Sequence, residues 1–76
     1  METTVIALTE IQRVMLFMIR YANRPGYIGH RRQGTLVALE RRKLAQSRPD
    51  LTAPGQAIWT LTLEGRRWVD HDEANR

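Results

Sequence analysis

The stretch RQGTLVALERRKLAQSR, residues 32–48, decides the fold class, because its pattern changes from that of a helix to that of a strand. Leu36 and Leu39 are three positions apart, and this spacing places both on the inward side of a helix over residues 32–43. Gly34 near the first turn weakens this helix by about 1 kcal/mol relative to Ala. We therefore expect a helix that is followed at once by a strand.

A second strand completes a hairpin with the first. Residues 56–61 include Ile58 and Trp59, which are good strand formers, and they pair with the strand over residues 44–48. Between the strands lies PDLTAPG, residues 49–55, which is rich in breakers and too long for a tight turn. We expect a hairpin with an extended polar tip, a shape that suits a wing lying along a DNA backbone or minor groove.

Upstream, residues 10–21 give the clearest predicted helix. Thr9 and Gln12 are spaced as a capping box, in which each side chain bonds the backbone N–H of the other residue. Six apolar residues recur at helical spacing and define one face of this helix. They are Ile11, Val14, Met15, Met18, Ile19 and Ala22. Leu16 and Phe17 widen the apolar stripe, and they either cover the far side of the small domain or form a surface for a partner.

The link between the two predicted helices is short. The breakers NRPG, residues 23–26, end the first helix. Residues 27–29 then form either a strand fragment or a single helical turn, and the sequence alone does not choose between these alternatives.

The two ends of the chain flank one domain over residues 8–70. Thr62 caps a last short helix, and Glu64 is favourably placed in its first turn. We expect residues 1–7 to form an extended lead-in and residues 71–76 to be a disordered acidic tail.

Length and composition exclude several classes of protein. The 76 residues suffice for one domain, and without cysteine the chain has no disulfide framework, no Cys-based zinc site and no thiol nucleophile. No apolar run approaches the length of about 20 residues that is needed to span a bilayer, and no secretory leader is evident. We expect no membrane contact, no cofactor and a location in the bacterial cytoplasm or a phage-infected host. We also expect no catalysis, because His71 and its flanking acids lack a nucleophile partner and no glycine-rich phosphate loop occurs.

Positive charge is concentrated in the middle of the chain. Between Arg24 and Arg48 there are seven basic residues and one acid, Glu40, whereas the rest of the chain is slightly acidic. Eleven of the twelve basic residues are Arg, a ratio typical of a GC-rich genome such as that of an actinobacterium or one of its phages. Arg makes forked contacts with phosphates and guanine edges. A helix with Arg on its open face, followed by a hairpin, is the layout of a small nucleic-acid reader.

Three segments resemble the winged helix-turn-helix family, and together they span residues 8–70. TLVALERRKLA, residues 35–45, resembles the T-L-x-x-L-x-x-x-G-L pattern of its recognition helix and following strand, with Lys43 where Gly is usual. WTLTLEGRR, residues 59–67, is similar to the aromatic-x-L-T-x-x-G-R pattern that closes the wing. Thr9 with Gln12 is similar to the L-T-x-x-Q pattern that opens the first helix. MarR-like and PadR-like proteins and small actinobacteriophage proteins are the most similar by pattern.

The resemblance implies a small α+β winged helix-turn-helix domain. Such a domain has two to three N-terminal helices, a β-hairpin wing and a short C-terminal helix. The chain departs from the family in two respects. Only about ten residues separate its first helix from the recognition helix, where the family fits a strand and a complete positioning helix. It also lacks the extra terminal helices with which MarR-like and PadR-like proteins dimerise.

The family partner is double-stranded DNA, and the resemblance assigns residues to it. Helix 32–43 enters the major groove, and the wing over residues 48–56 lies on the backbone or minor groove. Four residues share the open face of this helix at 100° per residue. They are Arg31, Thr35, Ala38 and Arg42. By resemblance the last three face the groove, with Arg31 and Arg32 at the entering end. Three further basic residues are placed for phosphate contacts, namely Arg41, Lys43 and Arg48. The implied roles are transcription regulation or a phage-type accessory function.

Two other functions remain open. A winged-helix scaffold can serve as a protein-interaction module, since fold does not determine function, and Leu16 and Phe17 would then contact a host protein or a second copy. RNA readers need exposed aromatic residues for stacking, and Tyr27 is the better candidate for that role. Tyr27 packing beneath the helices is the simpler interpretation.

Overall fold

A computed structural model describes residues 7–75. Along this part of the chain the elements are α1 (Glu10–Arg20), β1 (Tyr27–His30), α2 (Gly34–Arg41), β2 (Ala45–Pro49), β3 (Gln56–Leu61) and α3 (Leu63–Ala74). The α+β class is therefore confirmed. Apart from Ala7, the predicted lead-in lies outside the described residues. None of the helices within residues 7–75 has the length and apolar character needed to cross a membrane.

The strands form one antiparallel sheet in the order β1-β3-β2. The predicted hairpin is confirmed, because β2 and β3 pair in a register that places Ala45 opposite Leu61. The alternative left open for residues 27–29 is decided in favour of a strand, since Tyr27 pairs with Trp59 on the other side of β3. No positioning helix occurs between α1 and α2 in the structure, so the abbreviated link is a strand.

The core lies between the sheet and the helices. Its largest fully buried side chains come from all three helices, the α2–β2 junction and β3. They are Trp59, Leu16, Leu36, Leu39, Leu44 and Val69. Alternate residues of β3 thus face inward, and Ile58 and Thr60 lie on the other side of the sheet.

The packed side of α1 is only partly the face that its spacing predicts. Met15 and Ile19 of that face are buried, as predicted, and so is Leu16, which excludes the alternative that Leu16 belongs to a partner surface. Phe17 is half-buried and packs against the core. Ile11, Val14 and Met18 are instead 67%, 49% and 45% exposed. Because apolar residues occur around most of this helix, contacts with the sheet and α2 determine which side is buried. Spacing along α1 cannot reveal these contacts.

The helix starts follow the sequence closely. Thr9 and Gln12 form the predicted capping box. The Gln12 N–H donates to the Thr9 hydroxyl oxygen at 3.2 Å, and the Thr9 N–H donates to the Gln12 side-chain oxygen at 3.1 Å. Thr62 caps α3 by accepting a bond of 3.0 Å from the Gly65 N–H. Glu64 lies in the first turn of α3, where a negative charge is favourable.

Helix α3 continues to Ala74, so the prediction of a disordered tail is wrong for residues 71–74. Two acids near its end have partners on α1 and at the C-cap of α1. Asp72 pairs with Arg13 at 3.3 Å, and the Tyr21 hydroxyl donates to the Glu73 carboxylate at 2.7 Å. These partners are more than fifty positions away in sequence, so local composition gives no sign of them. Arg76 lies outside the described residues.

Helix α2 is two residues shorter at each end than predicted, and its end has a defined form. Lys43 has a φ of +63°, a left-handed conformation. The N–H of Lys43 donates to the carbonyl of Glu40 at 2.9 Å, and that of Leu44 to the carbonyl of Leu39 at 3.0 Å. These two bonds define a Schellman motif, which usually contains Gly at the left-handed position. The motif explains why the winged helix-turn-helix pattern has Gly at the position that Lys43 occupies in this chain.

The start of α3 is fixed to this turn. The Thr62 hydroxyl donates to the carbonyl of Lys43 at 2.6 Å, and the Thr62 N–H donates to the carbonyl of Leu44 at 3.2 Å. A Cβ at Gly65 would overlap the carbonyl oxygen of Leu44. Close approach of two backbones therefore requires glycine at this position.

Candidate nucleic-acid interface

A cleft of about 590 Å³ runs between the first turns of α1 and the outward side of α2. We call it the α2 cleft, and it is lined by Gln12, Arg32, Gly34, Val37, Ala38, Arg41 and Arg42. Gly34 and Ala38 are one helical turn apart and carry almost no side chain. A partner can therefore approach the backbone of α2 closely along this side.

Three of the lining residues are arginines with exposed side chains. Arg32 precedes the helix, whereas Arg41 and Arg42 lie at its end, so positive charge frames both ends of the α2 cleft. Within residues 7–75 none of the three forms an ion pair with a carboxylate. Arg42 donates one bond of 3.3 Å to the carbonyl of Ala7. Uncompensated charge along a concave surface attracts a polyanion.

The outward face of α2 is rotated from the predicted one. Leu36 and Leu39 are the buried pair, and the residues opposite them are Gly34, Ala38 and Arg41. Thr35 is half-buried and does not line the α2 cleft. The shift follows from helix geometry. At 100° per residue, Gly34 and Arg41 lie opposite Leu36 and Leu39, whereas Thr35 and Arg42 lie about a quarter turn to one side.

Arg31 instead lies in the turn between β1 and α2. Its backbone N–H donates to the carbonyl of Gly55 at 3.2 Å. This bond joins the start of α2 to the end of the loop between β2 and β3, residues 50–55, which we call the wing loop. His30 lies beside this joint, and its Nδ1 accepts a bond of 3.1 Å from the Arg32 N–H. The β2–β3 loop and the start of α2 are thus neighbours at one end of the molecule.

The structure separates the other predicted contacts. Lys43 is exposed in the turn after α2, outside the α2 cleft. Arg48 is on β2 and lines a different cleft, on the outer side of the sheet, together with Pro25 and Thr60. The structure therefore brings Arg32, Ala38, Arg41 and Arg42 together, and it leaves Arg31, Thr35, Lys43 and Arg48 around them.

The wing loop adds two features that the sequence pattern does not indicate. Asp50 accepts bonds from the backbone N–H and the hydroxyl of Thr52, at 3.0 and 2.6 Å, and these bonds lower the pKa of its carboxyl group. Leu51 is 94% exposed at the tip. The tip therefore offers an apolar side chain, while Asp50 holds a negative charge near its base.

Comparison with known proteins gives no relative from which a role could be transferred. No family model, no curated protein and no solved structure matches the chain. The function is therefore inferred from the geometry and charge of the site.

Proposed function

We propose that this protein binds double-stranded DNA through α2 and the wing. The observation that carries the proposal is the α2 cleft, in which the exposed Arg32, Arg41 and Arg42 frame a strip of small residues on the outward side of a helix. Backbone phosphates meet the arginines, while the bare strip lets the helix enter the groove. The major groove is about 12 Å wide and accepts one α-helix.

The position of the wing supports this mode of binding. Because Arg31 is bonded to Gly55, the wing loop lies next to the end of α2 that would enter the groove. A helix in the major groove would then place residues 48–56 over the adjoining backbone or minor groove. Arg48 is exposed on β2 at the base of this wing, where it can meet a phosphate. The three sequence segments that resemble winged helix-turn-helix proteins agree with this arrangement.

Regulation of transcription, or an accessory role in phage DNA metabolism, is the function that we propose for this binding. Single-helix recognition by a small domain gives modest affinity, most of it from phosphate contacts that weaken with salt. A preferred site would be read by Arg41 and by the residues around Ala38, since these lie on the outward side of α2.

The test is fluorescence anisotropy on a random 25-base-pair duplex across a salt series. We expect salt-sensitive binding by the wild type and a salt slope smaller by about two for Arg41→Ala/Arg42→Ala. Arg67→Ala is the control, because Arg67 is exposed on α3 and paired with Glu64. A folded wild-type protein that fails to bind at low salt would disprove the proposal.

A second candidate is a protein-interaction module on the same scaffold. The exposed apolar residues Ile11, Val14 and Met18 on α1 favour it, in place of the buried Leu16. A second copy of the chain is the first partner to test, by light scattering over a range of concentrations. Dimerisation that is lost in Val14→Arg, together with an absence of DNA binding, would favour this candidate.

A further inference from the structure

A second basic cleft lies at the other end of α1. This cleft, here the α1-end cleft, has a volume of about 220 Å³ and shares no residue with the α2 cleft. Three arginines from separate elements line it. Arg20 is the last residue of α1, Arg24 is in the turn before β1, and Arg66 is on α3. The lining also includes Thr60 of β3, which has a hydroxyl group.

The three guanidinium groups have no acidic partner within the described part of the chain. None of them forms an ion pair in residues 7–75, and neither Asp nor Glu lines the α1-end cleft. Asp70 lies one helical turn after Arg66 on α3 and is exposed. Three arginines therefore line one small volume, and none of them has an ion-paired carboxylate within residues 7–75.

One nitrogen among these groups is also buried without an acceptor. The Nε of Arg20 has no hydrogen-bond partner within residues 7–75, although water does not reach it. The guanidinium of Arg20 lies over the Tyr21 ring at 5.4 Å, which restricts its position. A buried donor without an acceptor costs about 1–3 kcal/mol. An anion with several oxygen atoms in the cleft would supply the missing negative charge, but it would not bond this nitrogen, which is as enclosed from an oxygen atom of the anion as it is from water.

The electrostatics favour such an anion despite one opposing contribution. The end of α1 carries a partial negative charge of roughly half an electron from its carbonyl groups. Three full positive charges exceed it. Arg forks bond phosphate oxygens in pairs, and three of them from different directions suit a tetrahedral dianion better than a planar carboxylate.

We propose that the α1-end cleft binds a phosphate group. The group belongs either to a small phosphorylated molecule or to a DNA backbone, and the second source rests on the proposed function. In the second case, phosphates held at both ends of α1 would lengthen the footprint of the protein on the duplex. In the first case, the cleft is a ligand site separate from the DNA surface.

The experiment is a titration of ¹⁵N-labelled protein with inorganic phosphate, at an ionic strength held constant with chloride. The signals to follow are the Arg20 Nε–H and the Gly26 amide. We expect saturable shifts in the wild type and in Arg67→Gln, and affinity at least about tenfold weaker in Arg66→Gln. Both arginines are exposed at neighbouring positions of α3, and only Arg66 lines the α1-end cleft, whereas Arg67 pairs with Glu64. Shifts that do not saturate, or that are equal in the two variants, would overturn the proposal.

Anisotropy on the 25-base-pair duplex then separates the two sources of phosphate. If Arg66→Gln lowers the salt slope by about one, the backbone of DNA provides the group. If Arg66→Gln loses phosphate binding but keeps wild-type DNA affinity, the ligand is a small molecule. If the wild type binds phosphate but not DNA, the proposed DNA function fails and the phosphate site stands.

Discussion

The N–H of Arg31 and the carbonyl of Gly55 are hydrogen-bonded at 3.2 Å, between the turn that leads into α2 and the end of the wing loop. Next to this bond, His30 of β1 pairs with Gln56 of β3. The start of α2 is therefore attached to the sheet, and it keeps a constant position relative to the wing. The contacts that α2 and the wing loop make with a binding partner should consequently depend on each other.

Replacement of Lys43 by Gly should stabilise the protein by about 1 kcal/mol, because Gly adopts the left-handed conformation without a steric penalty. Urea unfolding followed by circular dichroism measures the change. Lys43→Ala is the control, since it removes the same charge but retains the strained φ. Equal stability of the two variants would show that the left-handed turn carries no such penalty.

Gly65→Ala should destabilise the fold by more than about 2 kcal/mol, because the methyl group would overlap the Leu44 carbonyl and force α3 away from the α2–β2 turn. Gly34→Ala is the matched substitution, since a Cβ there meets nothing within 4 Å. It should raise stability by up to about 1 kcal/mol. Thermal unfolding of both variants checks these opposite signs, and a Gly65→Ala protein as stable as the wild type would contradict the close packing.

Ala38→Glu should abolish DNA binding while the protein remains folded. The substitution places a carboxylate in the middle of the α2 cleft, where it repels phosphates, and Glu is a good helix former. Ala74→Glu makes the same change at the end of α3, so it has the same net charge. Anisotropy at low salt compares the two variants, and equal loss of affinity would indicate that net charge alone governs binding.

The bond between Tyr21 and Glu73 should make stability depend on pH in the alkaline range. Donation to the carboxylate of Glu73 raises the pKa of the Tyr21 hydroxyl in the folded protein. Its contribution is therefore present below the ordinary pKa of about 10 and disappears as the pH rises through the folded value. The difference in melting temperature between the wild type and Tyr21→Phe, measured from pH 7 to pH 11, should stay constant at first and shrink as the pH rises above about 10. A constant difference would mean that the hydroxyl does not bond Glu73 in solution.

Sequence patterns predicted the parts of the fold that depend on neighbouring residues. The capping box of Thr9 and Gln12, the cap at Thr62 and the two hairpin strands need only local spacing, and the structure confirms them. The end of α2 was predicted two residues too late, because the left-handed turn at Lys43 contains no glycine that would indicate it.

Features that depend on distant residues could not be predicted in this way. Leu16 is buried because the sheet and α2 lie on its side of α1, and α3 extends to Ala74 because Asp72 reaches Arg13. The α1-end cleft joins Arg20, Arg24 and Arg66, which no single stretch of sequence brings together. The sequence predicted Leu36 and Leu39 as the buried side of α2, which the structure confirms, but it did not place Gly34 and Arg41 on the outward side.

Helix α2 is held at both ends and along its inner side, and this has a consequence for how the protein can evolve. Its start is attached at Gly55, its end at Thr62, and Leu36 and Leu39 anchor it to the core. Gly34, Ala38 and Arg41 take no part in these attachments. Substitutions on such a surface usually change stability by less than about 0.5 kcal/mol. Descendants of this chain could therefore acquire new binding preferences by exchanging a few outward residues while the same scaffold continues to fold.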